Sequence, residues 1–207
     1  MVGQNWDAAE NSRKASKHIP NGLTEFRVQA VSAAKTGEIP DTILKEIASR
    51  APEEIPLLKA MAVLVSDQRL GMIAVAEAFE ALRTNPFVSQ SLVALVFNSL
   101  RDLKYLSFPE ESTRLIQSLE MPFGAYFMDA RRQDLRWRIA VIMAEKNPKQ
   151  FYEALDSFNT MPWEHNFLQT RYKTLRLLNS PMAQDAAADY HRYMEADNQP
   201  FFIGKPE

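Results

Sequence analysis

Twelve prolines cut this chain into short segments, several of them carried in Asn-Pro, Ser-Pro or Met-Pro steps. Proline supplies no amide donor and its ring collides with the preceding turn, so it starts or ends helices and rarely sits inside one. The segments between the prolines carry apolar residues at helical spacing, and no stretch alternates in the way a half-buried strand does. The expected fold class is therefore all-α, with about eleven short helices and no sheet.

Local signals place the boundaries. Asn5 or Asp7 can cap a helix reaching about His18, closed by the Pro20-Asn21-Gly22 turn. Thr24 opens a second with Phe26, Ala30, Val31 and Ala34 on one stripe, ended by Gly37 in the left-handed conformation. Asp41 reads as the cap of a third helix that stops near Pro52, and a fourth runs from about Pro56 to Val65. That fourth segment is apolar nearly all round, which places it at the centre of a stack. A fifth covers Leu70 to Thr84, and a sixth opens at Ser89 or Ser91 and runs to Leu103. Pro109 begins another, with Glu110 and Glu111 at the positive end of its dipole. The longest is expected over Phe123 to Lys146, with Tyr126 and Phe127 on its apolar side. Asn147 caps the next, with Pro148 at its first position. Two more, Trp163 to Leu178 and Pro181 to Asp197, complete the set. Residues 1–198 read as one helical-repeat domain. Residues 199–207 read as a tail whose Phe201, Phe202 and Ile203 have a reason to be apolar only if they dock, as a cap on the last helices.

With 207 residues and 46% hydrophobic content the chain can bury a core unaided. It has no cysteine, so disulfides and thiolate metal sites are excluded, and cytoplasm and periplasm stay equally open. A net charge of −2 sets up no field for polyanions, so nucleic acid is not expected as a partner. The longest strongly apolar stretch, Ala60 to Val65, falls far short of the roughly 18 residues of a membrane span. Met1 to Lys17 lacks the apolar centre of a secretory leader. The chain reads as a soluble domain of open oligomeric state.

Spacing suggests repetition. Pro52 and Pro86 are 34 positions apart, Pro86 and Pro122 are 36, and Pro148 and Pro181 are 33, close to the roughly 34-residue period of a helix-turn-helix repeat. Reading back from Pro86, apolar residues stand at Leu58, Met61, Ala62 and Val65, then at Ala74, Ala78 and Ala81. This segment resembles one tetratricopeptide-type unit, departing from it where Ala78 replaces the aromatic and Phe79 follows one step along. Leu135, Ile139 and Ile142 followed by Phe151, Leu155 and Phe158 repeat the outline. The resemblance implies a right-handed array of antiparallel helical hairpins, a TPR-like α-solenoid. Such a module is non-enzymatic, an interaction or scaffold domain that takes a peptide or helix of a protein partner. The segment Met161-Pro-Trp-Glu-His-Asn-Phe-Leu-Gln is similar to one in carboxy-terminal helical domains of bacterial membrane enzymes, polymer ligases of the O-antigen type or membrane-fused spermidine synthases. That likeness implies the alternative, an accessory domain with catalysis elsewhere in a longer polypeptide.

No catalytic, cofactor or metal site is expected. His18, His165 and His191 lack the spacing that puts two imidazoles on one turn. Asp185 and Asp189 share a helix face near His191, Glu195 and Asp197, but a cation site needs ligands from other segments as well. Glu164 and His165 beside Trp163 could form an acid-base pair or simply start a helix. Six glycines and no Gly-x-Ser-x-Gly elbow leave neither a phosphate loop nor an acyl-transfer nucleophile. The candidate partner-binding residues are Arg131, Arg132, Arg136 and Arg138 around Trp137. Arg132 and Arg136 lie one turn apart, and paired guanidiniums grip carboxylate or phosphate bidentately. Asp129 and Asp134 interleave with them, so local ion pairing is the competing reading.

Overall fold

A computed structural model describes residues 23–84, 87–124, 128–158 and 160–197. Among these residues there are ten α-helices and no strand. The chain divides into two compact units, residues 1–136 and 137–207. The expected helix before His18, the Pro20-Asn21-Gly22 turn, Asn85 and Pro86, Tyr126, Phe127 and the tail with Phe201 lie outside the described residues.

In the first unit α1 spans Leu23–Ala34, α2 Asp41–Ala48, α3 Ile55–Ser66, α4 Gln68–Leu82, α5 Gln90–Ser99 and α6 Pro109–Ser118. Gly37 closes α1 with φ of +88°, as its position predicts. Pro40 rather than Asp41 occupies the cap of α2, and Asp41 is its first residue. The sequence leaves a gap between Val65 and Leu70. The structure reduces it to Asp67, whose carboxylate accepts the Leu70 N–H at 3.0 Å and starts α4 one residue after α3 ends. The α5 helix stops at Ser99, short of Leu103.

The all-round apolar α3 is central, packing on α1, α4 and α5, while α4 also packs on α6. Its contact with α4 is close enough to exclude a side chain at Gly71, where an added Cβ would lie 2.2 Å from Leu64 Cα. Polar ties join segments distant in sequence. Glu54 is fully buried and accepts two bonds from Arg27, at 2.7 and 2.6 Å, and a third from the Ser89 N–H at 3.2 Å. Between α4 and α6 the partners advance together: Arg69 with Glu111 at 2.5 Å, Ser112 Oγ with Met72 Sδ at 3.9 Å, and Arg114 with Glu77 at 2.8 Å. Phe79, Phe97 and Phe123 fill the space between α4, α5 and the segment after α6, with ring centroids 5.3 to 6.1 Å apart.

Glu111 supplies a pH dependence. The Arg69 guanidinium holds its carboxyl below the ordinary glutamate range, helped by a backbone N–H and opposed by burial. The folded value lies below the unfolded one. The tie therefore stabilises the fold above the ordinary range and its contribution disappears as pH falls through the lowered value. Glu111→Gln is expected to lower the melting temperature at pH 7, and the gap from wild type should narrow as pH falls below the ordinary glutamate range and through the lowered value. A gap that does not narrow at all as the solution is acidified would show that the effect is not electrostatic.

The sequence expects the longest helix over Phe123 to Lys146, but α7 spans only Asp129–Ile142. Phe123 is drawn instead into the cluster with Phe79 and Phe97, and the Gly124 N–H donates to the Leu82 carbonyl at 2.9 Å. At its other end, Met143 to Lys146 tighten into turns with three-residue bonds before the Asn147 cap. The second unit holds the last turns of α7, then α8 Pro148–Asp156, α9 His165–Leu177 and α10 Ala183–Asp197. Asn147 caps α8 with Pro148 first, as expected, its side chain accepting the Gln150 N–H at 3.4 Å. Asn179, at φ of +50°, ends α9, and the Ser180 N–H returns to the Leu175 carbonyl at 2.9 Å. Trp163 lies ahead of α9, and Pro181 ahead of α10, rather than within them.

Candidate interaction surface

The arginine-rich helix is α7, and it does not present its five candidate residues together. Arg132 and Arg136 are 3% and 5% exposed, whereas Arg131 and Arg138 are exposed. Arg132 donates to the carbonyls of Leu119 and Glu120, the latter at 3.0 Å, and its Nε donates to Asp129 at 2.8 Å. Arg136 lies 3.7 Å from the Glu120 carboxylate. Arg83 reaches the adjoining carbonyls of Gln117 and Ser118, at 3.5 and 3.3 Å. Two guanidiniums thus satisfy four consecutive carbonyls at and just beyond the end of α6, where the helix dipole is negative and acceptors lack partners. The fork geometry that suits a carboxylate suits paired carbonyls equally.

Trp137 belongs to the core of the second unit. Its ring stacks on Phe167 at 4.8 Å and meets Phe151 at 5.3 Å and Phe158 at 5.9 Å. That cluster holds α7, α8 and α9 together and takes up Phe151 and Phe158 from the second repeat-like outline.

The surface that does gather functional chemistry is the seam between α9 and α10. On α9, His165, Gln169 and Tyr172 recur at four and three residues, which puts them on one stripe. On α10, Tyr190 and Tyr193 do the same. Antiparallel packing brings the stripes together: Tyr172 stacks on Tyr190 at 6.3 Å, His165 meets Tyr190 at 5.6 Å and Tyr193 at 6.1 Å, and Trp163 meets Tyr193 at 6.1 Å. Gln169 donates to the Tyr190 hydroxyl at 3.1 Å. Beside them the buried Arg171 pairs with Asp189 at 2.8 Å and fixes the register of the two helices. Trp163 is 48% exposed, and His165, Tyr172, Tyr190 and Tyr193 are half-buried. The result is a continuous row of aromatic faces with polar tips at the surface. Such rings offer large apolar contact at little conformational entropy, with hydrogen-bonding edges to orient a partner. Val65 and Leu70 are exposed as well, on either side of Asp67.

The other sequence candidates are placed by the same helices. Glu164 stands at the start of α9 in extended conformation without a side-chain cap bond, and His165 turns into the seam, so the two do not act on one point. Asp189 is engaged by Arg171 and lies 3.9 Å from Arg192. Among the described residues no three His, Asp or Glu side chains converge as a metal site. No helix among them is long and apolar enough to cross a membrane. The sequence reading weighs Trp163 only as the neighbour of Glu164 and His165. The signal it misses is the aromatic spacing of 165 and 172, and of 190 and 193, on two consecutive helices. No protein-family model matches the chain, and no curated protein or solved structure matches it either.

Proposed function

We propose that this chain is a non-catalytic protein-interaction module of stacked helical hairpins, and that it takes a peptide or helix of a partner on the aromatic seam of α9 and α10. The hairpin reading is supported by the pairing of helices: α3 and α4 double back across one residue, while α4 and α6, two apart in sequence, advance side by side. The observation that carries the functional reading is the row of five rings from Trp163 to Tyr172. Tryptophan and tyrosine are the residues most enriched where protein surfaces associate, and they dominate the energy when desolvated. The arginine helix carries less of the case, because its two central arginines are engaged within the fold.

A photo-crosslinking benzophenone side chain placed at Trp163 or Tyr193 tests the reading, with Arg138 and Lys149, both exposed, as control positions. Adducts to one protein species from 163 and 193, abolished by excess unlabelled chain, are expected. Equal labelling from all four positions would overturn it.

A further inference from the structure

We infer that the Trp163 end of this seam is the seat of a guanidinium, an arginine side chain carried by the partner segment. Three observations converge. First, the rings at this end are accessible: Trp163 is 48% exposed, and Trp163 and His165 each meet the half-buried Tyr193 at 6.1 Å, edge to face at 60° and 61°. Among the described residues no cation lies over Trp163 or Tyr193, and Arg192, next to Tyr193 in sequence, stands 3.9 Å from Asp189 one turn back. Secondly, a carboxylate adjoins the rings. Glu164, between Trp163 and His165 in sequence, is exposed and extended, makes no cap bond to α9, and has no hydrogen-bond or ion-pair partner among the described residues. Glu195, exposed two residues beyond Tyr193, adds negative charge at the same end. Thirdly, the chain builds the complete trio elsewhere from its own residues. In the first unit Arg50 lies 5.5 Å from the centroid of the Phe26 ring and pairs with Glu46 at 3.3 Å. At Trp163 the chain supplies ring and acid, and the partner supplies the cation. Indole attracts a cation more strongly than the other rings, and arginine makes such contacts more often than lysine. A planar guanidinium can stack on the indole and donate a fork of two bonds to a carboxylate at once, which an ammonium cannot.

The seat stands by itself, whereas the partner that bears the arginine rests on the seam being an interaction surface. The full chain labelled with 5-fluorotryptophan gives three fluorine signals, from Trp6, Trp137 and Trp163, and Trp163→Phe assigns the last. N-acetyl-arginine amide is titrated against N-acetyl-citrulline amide, which is neutral and nearly the same shape. The arginine derivative is expected to move the Trp163 signal saturably, with roughly fivefold or more the affinity of the citrulline one. The Trp137 signal, from the core of the same unit, should stay in place and so report an intact fold. Glu164→Gln should lower the arginine affinity severalfold and leave the citrulline affinity unchanged, again with Trp137 in place. Equal shifts from the two derivatives, or an arginine affinity untouched by Glu164→Gln, overturn the seat whatever the crosslinking experiment shows. Tetramethylammonium binding as tightly as the arginine derivative overturns the guanidinium assignment, since it can form no fork. If the seat holds and the seam is the partner surface, excess arginine derivative should reduce the adduct from Tyr193. A shift that discriminates arginine from citrulline, without any partner adduct, would uphold the seat and retire the interaction reading.

Discussion

Gly71→Ala is expected to destabilise the first unit by about 3 kcal/mol or more, although alanine is the better helix former by about 1 kcal/mol. The two effects oppose each other, and geometry decides between them. The added methyl carbon would stand 2.2 Å from Leu64 Cα and 2.7 Å from Leu64 N, both backbone atoms of the neighbouring helix. No rotamer change relieves that contact. The helices α3 and α4 would have to part along their length, and α3 is the helix on which α1 and α5 also rest. With a loss of about 2–4 °C per kcal/mol for a chain of this size, the melting temperature should fall by roughly 10 °C. Thermal unfolding followed by circular dichroism reads this directly. A variant as stable as wild type would mean that α3 and α4 sit farther apart than described.

Arg132→Glu should be far more damaging than the same change at Arg131 or Arg138 on the same helix. It removes the donors from the Leu119 and Glu120 carbonyls and puts a carboxylate in a buried place at the negative end of α6, beside Asp129. Charge-assisted bonds lost at a buried site amount to about 1.5–3 kcal/mol each, and the unpaired buried charge adds to that. A total above about 4 kcal/mol is a large part of the stability of any domain. Arg131→Glu and Arg138→Glu, on the exposed faces of the same helix, should stay within about 0.5 kcal/mol of wild type. Urea titrations of the three variants separate the cases, and an Arg132→Glu midpoint equal to that of Arg131→Glu would refute the clasp on α6. One practical result is that loss of a partner on Arg132 substitution reports on folding and says nothing about a binding face.

How far the sequence could be read depends on the range of the interaction concerned. Gly37, the Asn147 cap with Pro148, and the buried nature of α3 were legible because each is decided within one helix or its turn. The start of α7 was not. Phe123 continues a helical pattern in sequence, but it is worth more in the cluster with Phe79 and Phe97, which lie some 44 and 26 positions away. The arginines show the same division. Spacing told that Arg132 and Arg136 share a face, and it could not tell that this face meets the end of α6. Among the repeat-like positions Leu58, Met61 and Ala62 are buried, whereas Val65 and Ala81 are exposed, since Phe79 rather than Ala81 faces the core. The aromatic seam was hidden for a related reason. Neither α9 nor α10 is unusual alone, and only their antiparallel register joins the two half-rows.

The ties between helices described for the first unit bridge modest lengths of chain: 27 residues for Arg27 with Glu54, 35 for Glu54 with Ser89, 42 for Arg69 with Glu111. Closing loops of such similar size carries nearly the same entropy each time. Assembly can therefore begin at any helix pair and spread to its neighbours, with no wait for distant ends to meet, and chains rich in near contacts fold fast.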